Sequence, residues 1–141
     1  MLAYRAGANR VELNSDLFHG GLTPTLGSLI AVKKAAPALE IMAMVRPREG
    51  GFCYTDFDYM TCCRDMEALL NAGADGIVFG FLKPDGTVDT DRCADFIGKI
   101  KKINPNAEIV FHRAIDVVPD VFKALDDLIS LGAVSYTHLR A

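Results

Sequence analysis

The sequence predicts a parallel α/β fold, because segments with helical and with strand patterns alternate along the chain. Three apolar helical stretches end in a Gly-Ala pair, at Gly7, Gly73 and Gly132, and β-rich runs directly follow the first two. Glycine just past a helix accepts the left-handed backbone conformation, so each pair marks the end of a helix. Helices that alternate with strands in this way are typical of parallel sheets.

Four strands are predicted at regular spacing, with a helix after each. The strand patterns (RVEL, EIMAMV, GIVF and AEIVF) centre near residues 12, 43, 78 and 110. The helical patterns cover about residues 25–36, 58–72, 89–103 and 119–131. This spacing is close to what about 250 residues divided over eight βα units give.

A barrel is favoured over an open doubly wound sheet. The open sheet often carries a glycine-rich phosphate loop after its first strand, and neither G-x-G-x-x-G nor G-x-x-x-x-G-K-[ST] occurs in this sequence. We therefore predict a partial parallel (β/α) barrel of about four βα units. Four strands do not close a barrel, so the chain is expected either to pair with a second copy or to be a fragment.

Composition indicates a soluble globular domain. Of 141 residues, 50% are hydrophobic, and the formal net charge is −3, which gives no reason to expect nucleic acid as a partner. No apolar run approaches the roughly 18 residues of a membrane span, and no signal peptide is recognised, so we expect no membrane partner and a cytoplasmic location. The four cysteines have no C-x-x-C spacing and are predicted to be free thiols.

Polar side chains gather at the carboxyl end of each predicted strand, where parallel barrels place their active sites. We predict an anion clamp made of Arg46, Arg48 and Arg113. Arginine forks bind carboxylate or phosphate through two hydrogen bonds, so the expected ligand is a small anionic molecule.

Acid–base chemistry is predicted at the same end of the sheet. The candidate groups are Glu12, His112 and Asp116, since carboxylates and imidazole transfer protons near neutral pH. Such a set favours an enzyme acting on a small anionic or sugar-like metabolite. An alternative stays open, in which Arg46, Glu12 and Asp116 form an internal salt-bridge network that holds the barrel together.

Copper is the second ligand to consider, because thiolates and thioethers select Cu(I). Cys53 and Met44 are the candidate ligands, and Met42 lies on the same strand face as Met44. Methionines on a central strand are more often core residues. Cys62 and Cys63 point about 100° apart on a helix, which suits joint chelation poorly.

Three motifs resemble the CutC family of copper homeostasis proteins. The first joins residues 10–13 (RVEL) to residues 20–27 (GGLTPTLG), the second is the loop at residues 46–56 (RPREGGFCYTD), and the third is residues 111–116 (FHRAID). They occur in the family's order and span about residues 3–134.

The resemblance implies a cytoplasmic TIM-type barrel that forms a homo-oligomer and functions in copper homeostasis, with copper or a small molecule as ligand. It implies that the central cavity is lined by Glu12, Arg46, His112, Arg113 and Asp116. Copper binding in the family has been attributed to cysteines on the first two strands. The first of these strands is expected to be absent here, and Asn14 stands where the second strand often has cysteine.

The end of the chain departs from the family pattern. We expect residues 1–134 to form the CutC-like partial barrel and residues 135–141 (SYTHLRA) to be a non-family tail that resembles translated adapter sequence. His138 is therefore not counted as a ligand.

Overall fold

A computed structural model describes residues 2–133 and 135–136, and it shows strands and helices alternating along the chain. The strands are β1 (Arg10–Leu13), β2 (Glu40–Met44), β3 (Gly76–Phe79), β4 (Glu108–Phe111) and β5 (Ser135–Tyr136). The helices are α1 (Leu2–Arg5), α2 (Leu26–Ala35), α3 (Asp56–Asn71), α4 (Thr90–Ile103) and α5 (Val121–Ser130), with short 3-10 helices at Leu17–His19 and Arg113–Val117.

The sheet has five parallel strands in the order β1-β2-β3-β4-β5, so each strand pairs with its neighbour in sequence. This order is that of a (β/α) barrel, and the described strands leave β1 and β5 at the two edges. The predicted fold class, a partial parallel barrel, is confirmed, and the sheet includes one short strand more than the four predicted.

The Gly-Ala pairs end their helices as predicted. Gly7, Gly73 and Gly132 have φ angles of +91°, +96° and +80°, in the left-handed region that suits glycine. Helix α3 begins at Asp56, two residues before the predicted start, because Thr55 and Asp58 form a reciprocal capping box.

The two faces of the sheet carry separate apolar clusters. Alternate residues of β2, such as Ile41 and Ala43, pack into the large core beneath the helices. Met42 and Met44 point to the opposite, interior face and form a small cluster there with Val78 and Val110. The alternation predicted for β2 is therefore correct, and both methionines are buried, with 3% of each exposed.

Ion pairs at the amino ends of the strands show how strongly the sheet curls. Arg10 on β1 pairs with Glu40 on β2 at 3.0 Å and also with Glu108 on β4. In a flat sheet β1 and β4 are about 14 Å apart. A direct Arg10–Glu108 contact across the interior face fits a sheet that curves as a barrel does.

The last strand, β5, lies entirely in the segment predicted to be a tail. Ser135 and Tyr136 pair with Val110 and Phe111 of β4 in parallel register. Residues 137–141, including His138, lie outside the described residues. Within the described part of the chain, no helix is long and apolar enough to cross a membrane.

Candidate anion-binding site at the carboxyl ends of the strands

Three residues at the carboxyl ends of neighbouring strands form the centre of the candidate site. The register pairs Met44 with Val78 and Val78 with Val110. Two residues further along each strand, the same interior face carries Arg46, Gly80 and His112. These residues therefore form one layer at the mouth of the partial barrel.

Arg46 is buried, with 5% of its surface exposed, and backbone carbonyls hold its guanidinium. Nη1 donates to the carbonyls of His19 (2.9 Å) and Gly21 (3.1 Å), and Nη2 donates to the carbonyl of Gly50 (3.2 Å). The first two carbonyls belong to the loop after β1 and the third to the loop after β2. Arg46 thus joins two mouth loops, while its Nε has no partner among the described residues.

His112 is fully enclosed and uncharged. Its Nδ1 accepts a hydrogen bond from the Ala114 backbone N–H at 3.2 Å, which places the ring hydrogen on Nε2. Burial, then the positive charges of Arg46 and Arg113, lower the pKa of His112 to about 3. The Nε2–H is therefore a neutral hydrogen-bond donor, and it is buried without a partner in the described part of the chain.

Gly80 provides the space in which the His112 ring lies. A Cβ on Gly80 would come 2.5 Å from both Cε1 and Nδ1 of His112 and 3.1 Å from the Ala114 Cβ. Real Cβ atoms do not approach other atoms this closely, so any side chain at position 80 displaces the imidazole.

We expect Gly80→Ala to lower the free energy of unfolding by about 2 kcal/mol, because an extra methyl group in a packed core forces its neighbours to move. Urea denaturation followed by circular dichroism measures the change. The matched control is Gly98→Ala in α4, where a Cβ meets nothing within 4 Å. This control is expected to stabilise the helix by up to about 1 kcal/mol, and equal effects of the two substitutions would contradict the assigned packing.

Phe52 lies between the two central groups. Its ring centroid is 5.2 Å from Arg46 Cζ and 4.8 Å from the His112 ring centroid. The hydroxyl of Tyr54 is also buried and makes no close hydrogen bond. Burial raises the pKa of Tyr54 to about 12, against the opposing effect of the nearby Arg46 guanidinium. The residue type of Phe52 predicts only a core or rim aromatic, because only the folded loop shows that Arg46 and His112 flank its ring.

A second guanidinium approaches Arg46 beside Gly20. A Cβ on Gly20 would lie 3.1 Å from Arg113 Nη1 and 3.2 Å from Arg46 Nη1. Gly20 has a φ of +84°, so the backbone there also favours glycine. Two cations that converge on one point repel each other, and an anion bound between them removes that cost.

Arg48 is placed differently from the other two members of the predicted clamp. It forms an ion pair with Asp58 at 3.0 Å, donates to the Cys53 carbonyl at 3.1 Å and lies over the Tyr54 ring. Hydrogen bonds from Thr55 and Arg48 hold the pKa of Asp58 below its usual value. Arg48 orders the loop after β2, and its role as an anion clamp stays a prediction.

The predicted carboxylates lie away from the central layer. Glu12 pairs with Met42, four residues before Arg46, which is about 13 Å along the strand direction. Its carboxylate accepts a hydrogen bond from Asn14 at 3.1 Å. Asp116 is exposed on the 3-10 helix after β4. Their acid–base roles stay predictions, and so does the alternative salt-bridge network.

The two candidate copper ligands, Met44 and Cys53, differ in their exposure to solvent. Met44 belongs to the buried interior cluster, whereas Cys53 is exposed on the loop after β2. All four cysteines are free, as predicted, and burial raises the pKa of both Cys62 and Cys93 to about 12. Among the described residues, no group of three or more His, Cys, Asp or Glu side chains is placed to hold a metal ion.

The fold and the site define a (β/α)-barrel protein whose mouth carries a buried arginine, a buried neutral histidine and an exposed second arginine. A model of the CutC family matches residues 1–136, and the chain belongs to that family. The match includes the first two residues of the segment predicted to be a non-family tail.

Two relatives and one solved structure show what the chain is similar to. The CutC family protein of Treponema denticola is 58% identical over 132 residues, covering 94% of this chain and 52% of that protein. The mouse copper homeostasis protein cutC homolog is 38% identical over 130 residues, covering 92% and 46%. A crystal structure of CutC from Streptococcus agalactiae superposes with a TM-score of 0.83 at 29% identity, covering 94% of this chain and 63% of that one. The chain spans about half the length of the curated relatives it matches.

Proposed function

We propose that the barrel mouth binds a small anionic ligand through Arg46, Arg113 and the neutral imidazole of His112. The observation that carries this proposal is the pair of buried N–H groups, Arg46 Nε and His112 Nε2, without partners among the described residues. A buried unpaired donor costs about 1–3 kcal/mol. A ligand that accepts hydrogen bonds from both groups recovers this cost. Because both donors are enclosed, the mouth loops must move aside to admit it.

The chemistry of these groups narrows the class of ligand. Both free groups are donors and the nearby charges are positive, so the matching group on the ligand is a carboxylate or phosphate. Because His112 is neutral, it donates its Nε2 hydrogen rather than taking up a proton near pH 7. If the intact protein is an enzyme, Glu12 and Asp116 are the remaining candidates for proton transfer.

Arg113→Ala tests the anion site with little risk to the fold, because Arg113 is exposed. Isothermal titration calorimetry with malonate and with inorganic phosphate measures binding. We expect Arg113→Ala to raise Kd at least about tenfold, since charge-assisted hydrogen bonds contribute about 1.5–3 kcal/mol. Lys34→Ala, which removes a positive charge from the exposed end of α2, is the control and leaves Kd unchanged. Equal affinities of Arg113→Ala and the control would contradict the proposal.

Copper handling is the second candidate function, and the names of the mouse and human relatives favour it. In this view the chain belongs to a cytoplasmic, homo-oligomeric copper homeostasis protein that binds Cu(I). Its support within the chain is the methionine pair on the interior face. A Cβ on Gly76 would lie 2.5 Å from Met42 Sδ, so this thioether lies against β3, and Met44 follows on the same face.

Competition with a Cu(I) chelator tests this second candidate. We expect the double substitution Met42→Leu with Met44→Leu to weaken Cu(I) binding at least about tenfold, because leucine fills a similar volume but offers no sulfur ligand. Met60→Leu, on the exposed surface of α3, is the matched control. Unchanged Cu(I) affinity in the double variant would exclude the methionine pair, and Cys53→Ser then tests the remaining candidate ligand.

A further inference from the structure

A groove between α3 and α4 lies on the outer surface of the partial barrel, away from the mouth. Its cavity volume is about 720 Å³, within the range of about 300–1,000 Å³ for small-molecule sites. The apolar part of its lining consists of Tyr59, Met60, Cys63, Met66 and Ile103.

The groove does not lie at an edge of the sheet, where further strands would be added. Helix α3 connects β2 to β3, and α4 connects β3 to β4, so both helices cover inner strands of the sheet. Further strands can pair only at the edges, beside β1 or β5. Their helices would join the two ends of the helical layer and leave the α3–α4 groove uncovered.

Apolar side chains in the groove are accessible to a ligand. Met60 is 59% exposed and Ile103 is 38% exposed. The Tyr59 hydroxyl donates to Asp95 at 2.6 Å, which fixes the ring in the wall of the groove. Along α3, the distance from Tyr59 to Met66 is about 10 Å at 1.5 Å per residue. The groove therefore offers an elongated apolar surface.

Three cations, Arg64, Lys99 and Lys102, line the groove together with one carboxylate, Glu67. Arg64 pairs with Glu67 at 3.3 Å, and Lys99 pairs with Asp95. Lys102 is exposed, and its charge helps to lower the pKa of Asp95, whose carboxylate already pairs with Lys99. Its ammonium group can therefore also bind an anionic group of a ligand. Cations outnumber carboxylates along the groove, so its charge favours a small anionic ligand.

We propose that this groove binds an aliphatic monocarboxylate. The alkyl chain lies along Met60, Cys63 and Ile103, and Lys102 binds the carboxylate. Charge complementarity favours a carboxylate over a neutral lipid, and the elongated apolar wall favours a chain over a compact anion such as phosphate.

Titration calorimetry with hexanoate, octanoate and decanoate tests the proposal. Each added methylene group is expected to lower Kd about fourfold, as burial of one CH₂ contributes about 0.8 kcal/mol. We expect Met60→Gln and Lys102→Glu each to raise the Kd for decanoate at least tenfold, whereas 1-octanol binds more weakly than octanoate. Lys34→Glu is the matched control for the change of charge, and it leaves Kd within twofold.

Three results would overturn the proposal: no binding of decanoate, an affinity that does not depend on chain length, or a Kd that Met60→Gln leaves unchanged. Sedimentation of the protein at several concentrations tests whether a second copy of the chain occupies the groove. A dimer that Met60→Gln dissociates would assign the groove to a second copy instead. The mouth is proposed to bind carboxylates as well, so the titrations are repeated in Arg113→Ala. Decanoate binding that persists in this variant and still depends on Met60 belongs to the groove, whereas loss of decanoate binding in Arg113→Ala would also overturn the proposal.

Discussion

Arg46→Ala is expected to lower the free energy of unfolding by about 3 kcal/mol and to abolish anion binding at the mouth. Its guanidinium makes three hydrogen bonds to backbone carbonyls, those of His19, Gly21 and Gly50. Removing a charged donor leaves buried acceptors unpaired, at a cost of about 1–3 kcal/mol for each acceptor that water does not reach. Urea denaturation measures the stability, and calorimetry with malonate measures the binding.

Arg46→Lys separates the contribution of the positive charge of Arg46 from that of its planar guanidinium group. Lysine keeps the positive charge but cannot present a planar fork to both loops and to a ligand. We expect this variant to recover less than half of the lost stability and little of the malonate affinity. If Arg46→Ala were as stable as the wild type, the carbonyl contacts would not hold the mouth loops together.

Acid is expected to destabilise the fold strongly through His112. Burial lowers the pKa of His112 to about 3, whereas an unfolded histidine has a pKa near 6.5. Above pH 6.5 the imidazole is neutral in both states and contributes no pH dependence. Between pH 6.5 and pH 3 only the unfolded state takes up the proton, so the free energy of unfolding falls by about 1.4 kcal/mol per pH unit.

The loss from this one group reaches about 3 kcal/mol at pH 4 by the same linkage. Carboxylates such as Asp58, whose pKa is lowered by its hydrogen bonds, also destabilise the fold in acid, so the test is a difference between two proteins. His112→Asn keeps an acceptor for the Ala114 N–H but does not titrate in this range. Urea denaturation from pH 7 to pH 4 is expected to show a gap between wild type and variant that changes by about 3 kcal/mol. Parallel pH profiles would contradict a buried, neutral His112.

The positions of β1 to β4 along the chain could be predicted from the sequence, because local signals mark them. The Gly-Ala pairs ended the helices, and the β-rich runs after them matched β1 and β3. The start of α3 was placed two residues late, since the capping box of Thr55 and Asp58 was not recognised as the start signal. The position of Ser135 and Tyr136 in the sheet depends on pairing with β4, a long-range contact that their own sequence does not show.

The candidate site was predictable only in part. Strand alternation explains why Arg46 and His112 share the interior face with Met44 and Val110, because side chains on a strand point to opposite sides in turn. The same rule could not show that Arg48 turns back to Asp58, since the loop after β2 has no period. Nor could it show that His112 loses its basicity, because that follows from burial and from the charges of Arg46 and Arg113.

The central claim is that His112 presents a neutral Nε2–H, beside Arg46 and Arg113, to a bound anion. Long-range proton–nitrogen correlation NMR of the imidazole groups, recorded while malonate is added at pH 7, tests this claim most directly. We expect His112 to be the neutral Nε2–H form from the start, with an Nε2 resonance that shifts saturably in the wild type and far less in Arg113→Ala. A charged imidazole, the Nδ1–H tautomer, or an Nε2 resonance that malonate does not move would contradict the account.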